Sequence, residues 1–138
     1  GIAYNMPVVT EKGLVGRIDA VTASAARVQL ITDNASLVNS KIVGEDVDGV
    51  VTGSVTSDIT IEMVSQEYVI EPGQTVQTSG LGGNYPADIT IGTILNVNKL
   101  ENELFQSASL QPSEDFMNLT AVLVVANFRP SNIAPLTP

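Results

Sequence analysis

Short runs in which apolar and polar residues alternate recur along this chain, and a period of two is hard to satisfy with anything but β-strands. Gly16, Ile18 and Ala20 alternate with Arg17 and Asp19. Ala26, Val28 and Leu30 alternate with Arg27 and Gln29, and Ile59, Ile61 and Met63 with Thr60 and Glu62. Each pattern places one set of side chains on a buried face. The first two runs are joined by Thr22-Ala23-Ser24-Ala25, so residues 14–31 read as a hairpin. Further strands are expected at 49–55, 74–78, 90–97 and 105–111. A last one at 120–126, apolar on both faces, should sit centrally and stop before Pro130. Helix signals are weak: Ser113, after Pro112, is placed to cap one turn through Asp115 and Phe116, and 32–36 reads as another turn. Many short strands with turn residues between them indicate an all-β barrel or sandwich.

The 138 residues suffice for one ordinary domain or two small barrels. Aromatic residues are only 4%, so the core must come from Val, Ile, Leu and Ala, a composition that favours strands. Glu71-Pro72-Gly73 forms a turn signal with proline at its start. It divides the chain into a first barrel region at 1–70, a second at 71–130 and a flexible tail at 131–138. An exchange of strands between the two regions, or a discontinuous barrel, is compatible with the same pattern.

Charge and residue types exclude several functions. A net charge of −9 argues against nucleic acid, where Lys and Arg must neutralise phosphates, and against an anionic lipid surface. No cysteine means no disulfide and no thiolate metal site. No histidine removes imidazole-based triads, imidazole zinc ligands and a histidine general base from within the chain. No apolar run approaches the roughly 20 residues that span a bilayer. No signal peptide stands at the start, so Gly1 reads as the start of an excised fragment, with any membrane anchor upstream.

Three segments invite a functional reading. In Thr78-Ser79-Gly80-Leu81-Gly82-Gly83-Asn84-Tyr85-Pro86, a phosphate cradle would need a third glycine where Tyr85 stands, and a following helix where Pro86 and another strand stand. Ser79 resembles the nucleophile of a chymotrypsin-like loop but has no imidazole to take its proton. Residue type alone leaves open a Ser-Lys dyad with Lys12, Lys41 or Lys99, although no spacing supports one. The preferred reading is structural: Gly80, Gly82 and Gly83 supply the conformations of a tight turn closed by Pro86. Tyr85 then either closes the loop over the barrel mouth or stands exposed, and Leu81 and Tyr85 are candidate contact residues on the expectation that such loop residues are exposed. In Gly44-Glu45-Asp46-Val47-Asp48-Gly49, a calcium loop would put Gly44 and Val55 where oxygen donors are required, so a solvated acidic turn is expected. Asp19 and Glu62, as a glycosidase pair, lack the aromatic residues that stack on sugar. They read as outward strand positions. No metal or cofactor site is expected.

Several stretches resemble one family. Val9-Thr10-Glu11-Lys12-Gly13-Leu14-Val15-Gly16-Arg17-Ile18 and Ala26-Arg27-Val28-Gln29-Leu30-Ile31-Thr32-Asp33 are similar to the opening of the extracytoplasmic region of the rod shape-determining MreC family. Gln77 through Pro86, followed by Ile91-Gly92-Thr93-Ile94, is similar to its most recognisable segment, and Leu119-Thr120-Ala121-Val122-Leu123-Val124-Val125 to its closing strand. The order and separations agree from Met6 to Phe128, and only 42–71 matches poorly. The resemblance implies two small antiparallel β-barrels of about six strands, like a chymotrypsin-like protease fold without its catalytic residues. It implies an N-terminal transmembrane helix and coiled coil outside this sequence, with this region on the periplasmic or cell-wall side. It also implies a non-enzymatic scaffold of cell-wall elongation. Expected partners are other copies of itself, a class B penicillin-binding transpeptidase and membrane proteins of the MreD and RodZ kind. A glycan-binding module or a degenerate Ser-Lys hydrolase is the alternative.

Overall fold

A computed structural model describes residues 5–116 and the backbone of 123–124. Its strands are β1 (Pro7–Thr10), β2 (Gly13–Val21), β3 (Ala26–Leu30), β4 (Leu37–Ile42), β5 (Val47–Thr52) and β6 (Ile59–Ser65). They continue with β7 (Thr75–Thr78), β8 (Thr90–Asn98), β9 (Phe105–Pro112) and β10 (Leu123–Val124). Strands β10-β1-β2-β3 form one sheet, and β4-β5-β6-β9-β8-β7 close into a six-stranded antiparallel barrel. The expected all-β class is present. Of the two expected barrels of about six strands, one is a closed six-stranded barrel, while the remaining described strands form a four-stranded sheet in place of a second closed barrel.

The division at residue 70 does not follow the sheets. β6, before it, pairs with β9, after it, from Ile59↔Leu110 to Ser65↔Phe105. The turn expected there does exist: Gly73 has φ 93, and the Gln74 amide donates to the Glu71 carbonyl. It links two strands of the same barrel, because a proline–glycine turn reverses the chain equally well within a sheet and between domains. Hydrogen bonding instead groups the N-terminal strands with β10 and encloses 37–112 as the barrel. The tail at 131–138 lies outside the described residues. Of the strand expected at 120–126, only β10 is described. It has β1 as its sheet neighbour, through Val8↔Val124 and Val9↔Leu123.

The barrel interior is filled by aliphatic side chains. Val38 and Ile42 of β4, Val51 of β5, Ile59 and Ile61 of β6, Val76 of β7 and Ile91 of β8 are all buried. Small residues make room for large ones: Ser40 pairs with Gly49, and a Cβ on Gly49 would lie 2.7 Å from Ile61 Cγ1. The Ser40 hydroxyl donates to the Val38 carbonyl at 2.7 Å, so this inward polar group is satisfied inside the wall. Met63 departs from the sequence reading. A bulge between Ile61 and Val64, with Met63 at φ 62, turns its side chain outward and gives the inward place to Val64. The 32–36 turn forms, with the Asp33 carboxylate accepting from the Ala35 amide. Among the described residues no helix follows Ser113, whose hydroxyl donates to the Ile91 carbonyl at 3.2 Å.

The smaller sheet has its own cluster of Met6, Val8, Val15 and Ile18, backed by Val28 and Leu30. Leu14 and Ile31 pack into the barrel cluster, and Phe116 touches both clusters. Sheet and barrel therefore share buried surface. Gly13 shows how closely they approach, since a Cβ there would lie 2.3 Å from the Thr90 carbonyl oxygen.

Gly49→Ala should destabilise the barrel by about 2 kcal/mol, because the added methyl meets Ile61 and the Glu62 carbonyl with nowhere to retreat. Urea unfolding of the two chains measures this difference.

Candidate interaction surface around the glycine loop

Residues 79–88 leave the barrel between β7 and β8 and return to the same point. Thr78, fully buried, staples the neck. Its hydroxyl donates to the Pro86 carbonyl at 2.6 Å and accepts from the Ile89 amide at 2.9 Å. Its own amide donates to the Ile89 carbonyl, and its carbonyl accepts from the Asp88 amide, each at 2.9 Å. Four hydrogen bonds through one residue make the loop a compact closed unit.

Above the neck the backbone makes a short 3₁₀ turn over Leu81–Gly83. Gly80, Gly82 and Gly83 have φ of 81, 79 and 72, a region that side-chain-bearing residues seldom occupy. The loop lies back on β4: Asn39 Nδ2 donates to the Leu81 carbonyl at 3.1 Å, and the Ser79 amide donates to the Asn39 carbonyl at 3.0 Å. A Cβ on Gly82 would come within 3.0 Å of Asn39 Nδ2. The glycines thus serve both the turn and the close approach.

The two candidate contact residues separate. Leu81 is 56% exposed at the loop crest, whereas Tyr85 is 6% exposed and belongs to the barrel core. Tyr85 is therefore corrected from contact residue to core residue. The loop folds its one aromatic side chain inward, where it removes a large apolar area from water. Burial also pushes its phenol up to about 12, against a smaller opposing effect of Arg17.

The other segments behave as solvated surface. The Ser79 hydroxyl accepts from the Leu81 amide at 3.2 Å, and Lys41 is paired with Asp88. Asp19 pairs with Arg27 at 2.8 Å. Glu45, Asp46 and Asp48 are exposed in the turn and strand start joining β4 to β5. Among the described residues no group of three or more Asp or Glu is arranged to hold a metal ion, and no helix is long and apolar enough to cross a membrane. What sequence reasoning missed is a set of exposed apolar residues at the β8–β9 turn, including Leu100 and Leu104. The signal was there, because apolar residues beside charged ones in a turn have no core to enter.

The raised Tyr85 pKa has a stability consequence. The unfolded phenol ionises near pH 10 and the folded one near 12, so its contribution is intact below pH 10 and lost as pH rises from 10 to 12. Between pH 8 and 11 the chain should lose about 1.4 kcal/mol more than Tyr85→Phe does, measured by denaturant unfolding at both pH values.

Comparison with known proteins agrees with this architecture. The family described as rod shape-determining protein MreC, barrel core, matches residues 1–126. The cell shape-determining protein MreC of Listeria monocytogenes is 35% identical over 130 residues, covering 91% of this chain and 44% of that protein. That of Escherichia coli is 25% identical over 139 residues, covering 100% of this chain and 38% of its own length. The chain thus spans less than half the length of these two relatives. A solved Listeria MreC structure superposes with a TM-score of 0.82 at 35% identity, over 90% of this chain and 61% of the other. A complex of the penicillin-binding protein PBP2 with MreC from Helicobacter pylori superposes at 0.68 and 18% identity, over 80% of this chain and 70% of that one, a likeness of fold. A closed barrel in the expected segment order and a family match across nearly the whole chain lead to one conclusion: this chain belongs to the MreC family of cell shape-determining proteins.

Proposed function

We propose that this chain is a non-catalytic extracytoplasmic scaffold of the cell-wall elongation machinery. It acts by presenting surface to a class B penicillin-binding transpeptidase, to further copies of itself and to membrane partners of the MreD and RodZ kind. A transmembrane helix N-terminal to this sequence holds it at the membrane. The observation that carries this reading is the match to a shape-determining barrel core over residues 1–126. The Helicobacter pylori relative captured with its penicillin-binding protein supports the choice of partner. A solved relative described as the major periplasmic domain of MreC, 26% identical with a TM-score of 0.70, supports the compartment.

The geometry favours binding over turnover. Aliphatic side chains occupy the barrel interior, and the hydroxyl of Ser79 accepts a backbone amide next to it in its own loop. Leu81 stands clear of the core on a loop fixed by Thr78 and Asn39, the kind of rigid projection that contacts a partner with little ordering cost.

Immobilised chain should retain the extracytoplasmic domain of the class B transpeptidase from the same genome, and Leu81→Asp should weaken that retention at least threefold. Purified peptidoglycan should not sediment the chain, and Ser79→Ala should change neither result. Failure to retain the transpeptidase domain, together with sedimentation by glycan, would replace the scaffold reading by a glycan-binding one.

A further inference from the structure

One end of the barrel carries an exposed apolar patch that neither the core nor the glycine loop accounts for. It is built where β6 ends and β9 begins: Ser65 pairs with Phe105, and the Gln66 amide donates to the Leu104 carbonyl at 3.0 Å. Met63, Tyr68, Leu100, Leu104 and Phe105 gather here, all exposed, with Leu104 at 79% and Phe105 at 46%. Single exposed apolar side chains are ordinary, but five on adjoining strand ends and connections at one end of a barrel are a concentration of the kind that marks interaction sites.

The patch is preformed. Gln66 Nε2 donates to the carbonyls of Leu100 and Phe105 at 2.8 and 3.0 Å. Gln106 Nε2, buried beneath, donates to those of Ser65 and Tyr68 at 2.9 and 2.7 Å. Two glutamine side chains thus tie the β6–β7 connection to the β8–β9 turn. The bulge that turns Met63 outward adds it to the same face.

The rim of the patch is acidic. Glu62, Glu67, Glu101 and Glu103 alternate along the chain with the apolar members, and Lys99 is the sole cation between residues 59 and 112. Among the described residues none of the four carboxylates is in an ion pair. A second copy meeting this face with its own would bring like charges together at a desolvating contact, which opposes association. A complementary occupant carries apolar side chains flanked by lysine or arginine.

We propose that this end of the barrel is the docking surface for a partner protein of that chemistry. Resting on the scaffold reading above, the partner is the transpeptidase. Encounter is steered by the acidic rim, and the Phe105 and Leu104 side chains supply the buried contact.

The test is titration of the transpeptidase's extracytoplasmic domain with this chain and with two variants, Glu101→Lys/Glu103→Lys and Leu104→Ser/Phe105→Ala, at low and physiological salt. All four positions are exposed, and thermal unfolding checks that each variant keeps its fold. Each variant should weaken binding at least tenfold, and the charge variant should also lose most of the salt dependence of the parent. Transpeptidase binding that is equal in parent and variants overturns this surface assignment while leaving the scaffold reading intact. No binding by the parent overturns both. Loss of self-association in sedimentation, with transpeptidase binding unchanged, would instead make a second copy the occupant and contradict the proposal.

Discussion

The pairing of β4 with β7 is the contact on which the rest of this structure depends. Ser40, Lys41 and Ile42 meet Thr78, Gln77 and Val76 and close a six-stranded sheet on itself. Closure leaves no free edge in the barrel, and it forces inward side chains to share a space of fixed size. Gly49, paired with Ser40, is small because Ile61 occupies the space its Cβ would need. Thr78 stands at the end of that ladder, so the residue that helps to close the barrel is also the one that staples the glycine loop.

From closure follows the division of labour between interior and surface. A wall that buries Val, Ile and Leu on one side has only its outer face, loops and ends left for recognition. The outer face keeps its polar residues mostly solvated or paired, as Lys41 is with Asp88. Among the exposed apolar side chains, Leu81 lies on the loop crest, and Met63, Tyr68, Leu100, Leu104 and Phe105 lie at the end of the barrel where β6 ends and β9 begins. Both places are held by hydrogen bonds to neighbouring strands, through Asn39 in one case and Gln66 with Gln106 in the other. Contacts made there require little reordering of the chain.

Much of the fold was legible in the sequence because inward and outward positions alternate in a closed wall. Ile59 with Ile61, the hairpin through Thr22 and Ala25, and the proline–glycine turn at 72–73 all stand where period and turn chemistry put them. β4 was missed because its inward set, Val38, Ser40 and Ile42, contains a serine that satisfies itself on its own strand. Met63 was misplaced because one extra residue in a bulge reverses the alternation, and a bulge leaves no mark in composition. The grouping of strands into sheets was hidden too, since the pairing of β6 with β9 joins residues forty or more positions apart. The glycines of the loop announced their turn, but Tyr85 gave no sign of its direction. Its burial depends on how the loop folds back on the barrel.

Hydrogen–deuterium exchange of this chain, alone and saturated with the transpeptidase's extracytoplasmic domain, tests most directly whether function resides in surface presented by a closed, filled barrel. Binding by surface alone predicts slowed exchange confined to exposed segments, above all 66–69 and 99–105. The amides of β4, β5 and β7, deep in the ladder, should exchange at the same rate in both states. Protection spread through those interior strands would mean that the barrel rearranges to bind. Protection at no exposed segment would contradict a scaffold role for this surface.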